Sequence, residues 1–113
     1  MDAVRKDIEE LVQKELDSAN SMFPLFRSPH EGYAVILEEL EEAEQEIKNA
    51  RMYLDSAWHN IKHNRQDAIT DRIVGELKHS AIKTAIEAVQ VAAMAQKYLD
   101  SVKGEYDCQI KET

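Results

Sequence analysis

Proline, glycine and cysteine are scarce in this chain of 113 residues. Two Pro and three Gly cannot supply the turn every 8 to 12 residues or so that a sandwich or barrel needs, which excludes an all-β fold. The single cysteine, Cys108, can form no internal disulfide, in keeping with a reducing, cytoplasmic setting. Aromatic residues make up 6%, so the core must be built from aliphatic and small side chains. No apolar run approaches the roughly 18 residues of a membrane span. The opening MDAVRKDIEELVQKEL is charged throughout and lacks the apolar centre of a signal peptide, so a soluble protein that is not exported by that route is expected. Basic residues are also in deficit: 14 against 22 acidic, a net charge of -8. Such a field repels phosphate backbones and anionic lipid, so neither nucleic acid nor membrane is an expected partner. A phosphorylated small molecule stays within reach if carboxylates recruit a divalent cation to meet it.

What remains is a helical composition, 43% hydrophobic and 32% charged, of a size for one domain spanning 1–113. Val4, Ile8, Leu11, Val12 and Leu16 recur at three- and four-residue spacing and predict an amphipathic helix over 2–20. The segment 21–27, apolar but interrupted by Pro24, reads as an extended connection tucked against the core. Ser28, Pro29 and Glu31 then form a helix start, with Ser as cap, Pro at the first helical position and Glu three residues after the cap. The second helix is expected from Pro29 to about Asn49, continuing, bent or broken near 49–52, through Trp58 to Lys62. The polar stretch 63–67 predicts a connection, Thr70 a possible cap, and a long third helix reaches about Val102, with Gly104 as its stop and residues 105–113 as a fraying tail. Six alanines between 81 and 95 would let neighbouring helices approach closely. Three to five helices in an all-α bundle follow, and the apolar content of the third helix predicts a homodimer or homotetramer.

Two segments carry candidate chemistry. Between Glu38 and Glu46, six of nine residues are glutamate. At about 100° per residue, Tyr33, Ile36, Leu37, Leu40, Ala43 and Ile47 form an apolar stripe, bordered by a carboxylate stripe of Glu39, Glu42 and Glu46. Carboxylates one turn apart lie about 5–6 Å from one another, close enough to share a hard cation. A solvated acidic face is the plainer reading of such a helix. The second segment, 85–95, is aliphatic except for Glu87 and Gln90, which share one helix face. A half-buried Glu87 needs a partner, either Lys83 one turn earlier or a metal shared with Glu39 and Glu42. His59 and His63 stand at i, i+4, a weak zinc signal. The lone Trp58 reads as core or as the flank of a base-binding pocket.

The EExxE pattern of Glu38-Glu39-Leu40-Glu41-Glu42, followed by Glu87-Ala88-Val89-Gln90 on a later helix, resembles the MazG-like all-α nucleoside triphosphate pyrophosphohydrolases. The stretches 28–36 and 88–95 look more specifically like the small members from bacteriophages and their hosts, and the resemblance spans roughly residues 23 to 100. It implies an oligomeric helix bundle that uses Mg²⁺, with Mn²⁺ as a substitute, to cut a nucleoside triphosphate into monophosphate and pyrophosphate. It maps Glu39, Glu42 and Glu87 onto metal ligands, with Gln90 standing where an aspartate is expected. Glu38 becomes the candidate for positioning water, and Lys83, Arg51 and His30 become candidates for substrate contact. The amide of Gln90 ligates without adding charge and cannot act as a base. This keeps open an alternative, a non-catalytic helical oligomerisation or nucleotide-binding protein with a degenerate metal site.

Overall fold

A computed structural model describes the backbone of residues 2–65 and 68–112, with side chains as far as Gly104. The chain is all-helical, and the described residues form three helices and no strand: α1 (Asp2–Asn20), α2 (Pro29–Lys62) and α3 (Ala68–Glu112). Two compact units divide it, Met1–Leu40 with Ala88–Thr113, and Glu41–Glu87.

The first unit holds a core of Leu16, Phe26, Ala93 and Met94, edged by Val12, Ala19, Val35, Ile36 and Tyr98. Only the second half of α1 reaches it. Val4, Ile8 and Leu11, on the same predicted stripe, stay exposed, while the polar side of the helix carries Arg5–Glu9 and Gln13–Asp17 pairs at i, i+4. The connection after α1 is tucked in by one residue rather than along its length: Phe26 is buried, whereas Met22, Phe23 and Leu25 are exposed. Burying Phe26 contributes about 2–3 kcal/mol. Its backbone N–H donates to the Ser101 hydroxyl at 2.8 Å, and that hydroxyl donates to the Lys97 carbonyl at 2.7 Å. One serine on α3 thereby satisfies a buried amide of the connection, which no helix ladder could have reached.

The start of α2 follows the expected chemistry. The Glu31 N–H donates to the Ser28 hydroxyl at 3.2 Å, the Gly32 N–H donates to the Ser28 carbonyl at 3.2 Å, and Pro29 opens the helix. Gly32 sits directly under the core: a Cβ placed there would lie 2.6 Å from Tyr98 and 3.0 Å from Phe26, so the absence of a side chain is what lets α2 and the connection close together.

The second unit is a helical hairpin with small buried positions: Ala50, Ala57, Thr70 and Ser80. α2 runs through residues 49–52 unbroken, because nothing there removes a backbone donor. It ends in a Schellman motif. Asn64 has φ 57°, the Asn64 N–H donates to the Ile61 carbonyl at 3.0 Å and the Arg65 N–H to the Asn60 carbonyl at 2.8 Å, which satisfies carbonyls the helix leaves open. An Asn fills the place usually taken by Gly.

Three sequence expectations give way here. Thr70 does not cap α3, which begins at Ala68; its buried hydroxyl instead donates to the Arg65 carbonyl and accepts from the Asn60 amide, tying the first turn of α3 to the preceding connection. Gly104 does not stop α3, whose backbone continues to Glu112. There its role is packing, since a Cβ would meet Leu25 Cδ1 at 3.2 Å. The tail expected to fray has no described side chains. Trp58 is not core: it is 56% exposed, with the Lys62 ammonium 5.8 Å from its ring centre. No helix among the described residues is long and apolar enough to cross a membrane.

Candidate metal centre

Within the second unit, Glu42 on α2 and Glu87 on α3 hydrogen-bond to each other through their carboxyl groups, and this contact raises the proton affinity of Glu42 above its ordinary value of 4.5. The hydrogen bond to Glu87 is the main cause, followed by partial loss of solvation and by repulsion from the Glu87 charge. Two carboxylates in contact cannot both ionise without cost, which is why Glu42 holds its proton more tightly beside Glu87. Glu39 precedes Glu42 by one turn of the unbroken α2, and an oxygen of each of Glu39, Glu42 and Glu87 lies within 4.8 Å of the other two. Glu39 and Glu87 are half-buried and Glu42 is exposed.

The local reason for this arrangement is legible in the helix period. Glu39 and Glu42 are three residues apart, a spacing that places them on one face, and Ala43, Ala50 and Ala57 follow at seven-residue intervals along α2, half-buried or buried. Small side chains at that repeat let α3 come near enough for a glutamate from each helix to meet. The donor set suits a hard divalent cation: three carboxylates, all oxygen, with mutual repulsion that a cation relieves more fully than a proton.

The other candidates lie at varying distances along the helices. Gln90 is half-buried one turn beyond Glu87 on α3. Glu38 is exposed beside Glu39. The sequence offered Glu87 either Lys83 or a shared metal as partner; the Lys83 ammonium lies 3.8 Å from Glu46 Oε1 on α2, and Glu87 meets the Glu42 carboxyl. Glu46, counted in the carboxylate stripe but given no role, thus sets the Lys83 side chain, and only the crossing of two helices reveals it. Arg51 is engaged with Asp55 at 3.2 Å, nine residues past Glu42, about 13 Å along the helix axis. His30 is exposed in the first turn of α2, the same number of residues before Glu39. Arg51 and His30 are therefore well removed, along α2, from the carboxylates nearest them.

The carboxylate stripe is half-embedded while much of the apolar stripe beside it is open: Tyr33, Leu37, Leu40 and Ile47 are all exposed. Compared with known proteins, this chain matches no protein family, no curated protein and no solved structure.

Proposed function

We propose that the chain is a Mg²⁺-dependent nucleoside triphosphate pyrophosphohydrolase of the MazG-like all-α type. The observation that carries this reading is the meeting of Glu39, Glu42 and Glu87 from two helices, with the Glu87 carboxyl raising the proton affinity of Glu42. A bound Mg²⁺ or Mn²⁺ would supply Lewis acidity toward phosphate oxygens and toward an attacking water. Glu39, Glu42 and Glu87 would hold the ion through carboxylate oxygens. Gln90 would offer an amide oxygen without charge. Glu38, exposed beside Glu39, would orient or deprotonate water. Lys83, itself exposed, would reach phosphate by leaving its half-buried partner Glu46, 3.8 Å away. His30 and Arg51 would serve only the far parts of a long substrate or a second copy's site.

The working form is a homodimer or homotetramer in the cytoplasm. The hairpin unit exposes Ile47, Leu54, Trp58, Ile61, Val74, Ile82 and Ile86, an apolar load of the kind that association removes from water. Light scattering on the purified chain should return a multiple of 12.9 kDa, and Leu54→Lys with Ile82→Lys should reduce it to the monomer.

Gln90 favours one other reading, a nucleotide-binding or purely structural oligomer whose metal site no longer turns over. A panel of ribo- and deoxyribonucleoside triphosphates with Mg²⁺ separates the two. Pyrophosphate release by the wild type, lost in Glu42→Gln at unchanged helicity, is expected for the enzyme. Release by Gln90→Asp alone identifies the degenerate site, and none from either form overturns hydrolysis.

A further inference from the structure

We propose that His59 and His63 form a second, chemically distinct metal site, a two-imidazole chelate for a borderline transition cation of the Zn²⁺ or Ni²⁺ class, at the carboxyl end of α2. The two rings are in contact, with centroids 4.6 Å apart and planes inclined by 64°. Both side chains are exposed, so neither ring is spent on the core and rotation about the side-chain bonds can turn both ring nitrogens outward to one ion. Their separation of one helical turn is the spacing at which two histidines bind zinc on a helix face. The Schellman motif holds that spacing: the His63 N–H donates to the His59 carbonyl at 3.3 Å, and the bonds from Asn64 and Arg65 close the turn immediately after it.

The surroundings are compatible with an added positive charge. The carboxyl end of a helix carries partial negative charge and favours cations. Of the nearby fixed cations, Lys62 extends over the Trp58 ring, Arg51 is occupied by Asp55, whose carboxylate stands one turn before His59, and Arg65, exposed two residues past His63, has a long side chain that can swing away into solvent. Imidazole nitrogen selects Zn²⁺, Ni²⁺ and Cu²⁺ over Mg²⁺, whereas the all-oxygen set of Glu39, Glu42 and Glu87 selects the harder ions. Two protein ligands leave coordination positions for water. The chelate also clamps the last turn of α2, because an ion that binds two residues in helical register binds the folded chain more tightly than the unfolded one.

The test is calorimetric titration of the full chain with Ni²⁺ and with Zn²⁺ at neutral pH. One equivalent should bind, with affinity falling about tenfold or more in His59→Ala and in His63→Ala. It should be unchanged in His79→Ala, an exposed histidine outside the pair, and in Glu42→Gln. Paramagnetic broadening by Ni²⁺ in the wild-type NMR spectrum should fall on the His59 and His63 rings and spare His30 and His79, a readout that needs no variant. Wild-type affinity in both alanine variants, equal loss in His79→Ala, loss confined to Glu42→Gln, or broadening spread over all histidines would each overturn the proposal.

Discussion

The two units of this chain spend their apolar residues differently. In the first, one aromatic side chain and two long aliphatic ones, Phe26, Leu16 and Met94, close over Ala93, which has no exposed surface. In the second, Glu41–Glu87, the buried positions are two alanines, a threonine and a serine, while Trp58, Leu54 and Ile82 stay in water. Small residues bring helices close without filling space between them, so the hairpin gains backbone proximity and hydrogen bonds but little hydrophobic free energy of its own. That is also the unit in which a glutamate from each helix meets. Close approach without a large core makes a place where ionisable groups can be held together, and it leaves a surface that a second copy would cover.

The largest expected effect tests the core side of that contrast. Phe26→Ala should cost about 3 kcal/mol or more, read as a lower urea midpoint, while Trp58→Ala in a monomeric background should cost under about 1 kcal/mol. Equal losses would erase the distinction between the units. Gly32→Ala comes next: its new methyl meets Tyr98 and Phe26 and should cost about 1–3 kcal/mol through overpacking, whereas Gly75→Ala, with nothing within 4 Å of the added carbon, should stabilise α3 by about 0.5–1 kcal/mol. Ser101→Ala strands the buried Phe26 N–H and should cost about 1–2 kcal/mol, with faster hydrogen exchange at that amide.

In the hairpin, Asn64→Ala should cost about 1 kcal/mol by placing an alanine at positive φ, and Asn64→Gly should recover it. The smallest effect is electrostatic. Because the proton affinity of Glu42 is raised in the fold, its contribution to stability is fully present below the ordinary value of 4.5 and is lost as pH rises through the raised value. The melting temperature of the wild type should therefore gain on acidification relative to Glu42→Gln, which keeps a hydrogen-bonding side chain but has no charge to lose. At neutral pH, millimolar Mg²⁺ should raise the wild-type melting temperature and leave that of Glu42→Gln unchanged. Identical melting with EDTA and with Mg²⁺ would return the three glutamates to a solvated face.

Helix periods were readable because they depend on neighbours three and four residues away. The cap at Ser28 and Pro29 and the extent of α1 belong to this class, as does the pairing of Glu39 with Glu42 on one face. The misread positions share a different cause. Thr70 and Gly104 have local signatures of a cap and a stop, yet each is governed by a residue from another segment, Arg65 with Asn60 in one case and Leu25 in the other. Residue type alone leaves Trp58 either core or the flank of a pocket, and the core reading fails because a hairpin whose buried positions are small has no room for an indole.

What the sequence by itself determined is the all-helical class, the net negative charge and the carboxylate stripe, since composition and a 3.6-residue period suffice for each. Only the tertiary structure decided that Glu87 meets Glu42 while Lys83 goes to Glu46. A side chain on α3 can reach several points on α2, and the choice among them is made by helix packing. No spacing within either helix encodes it.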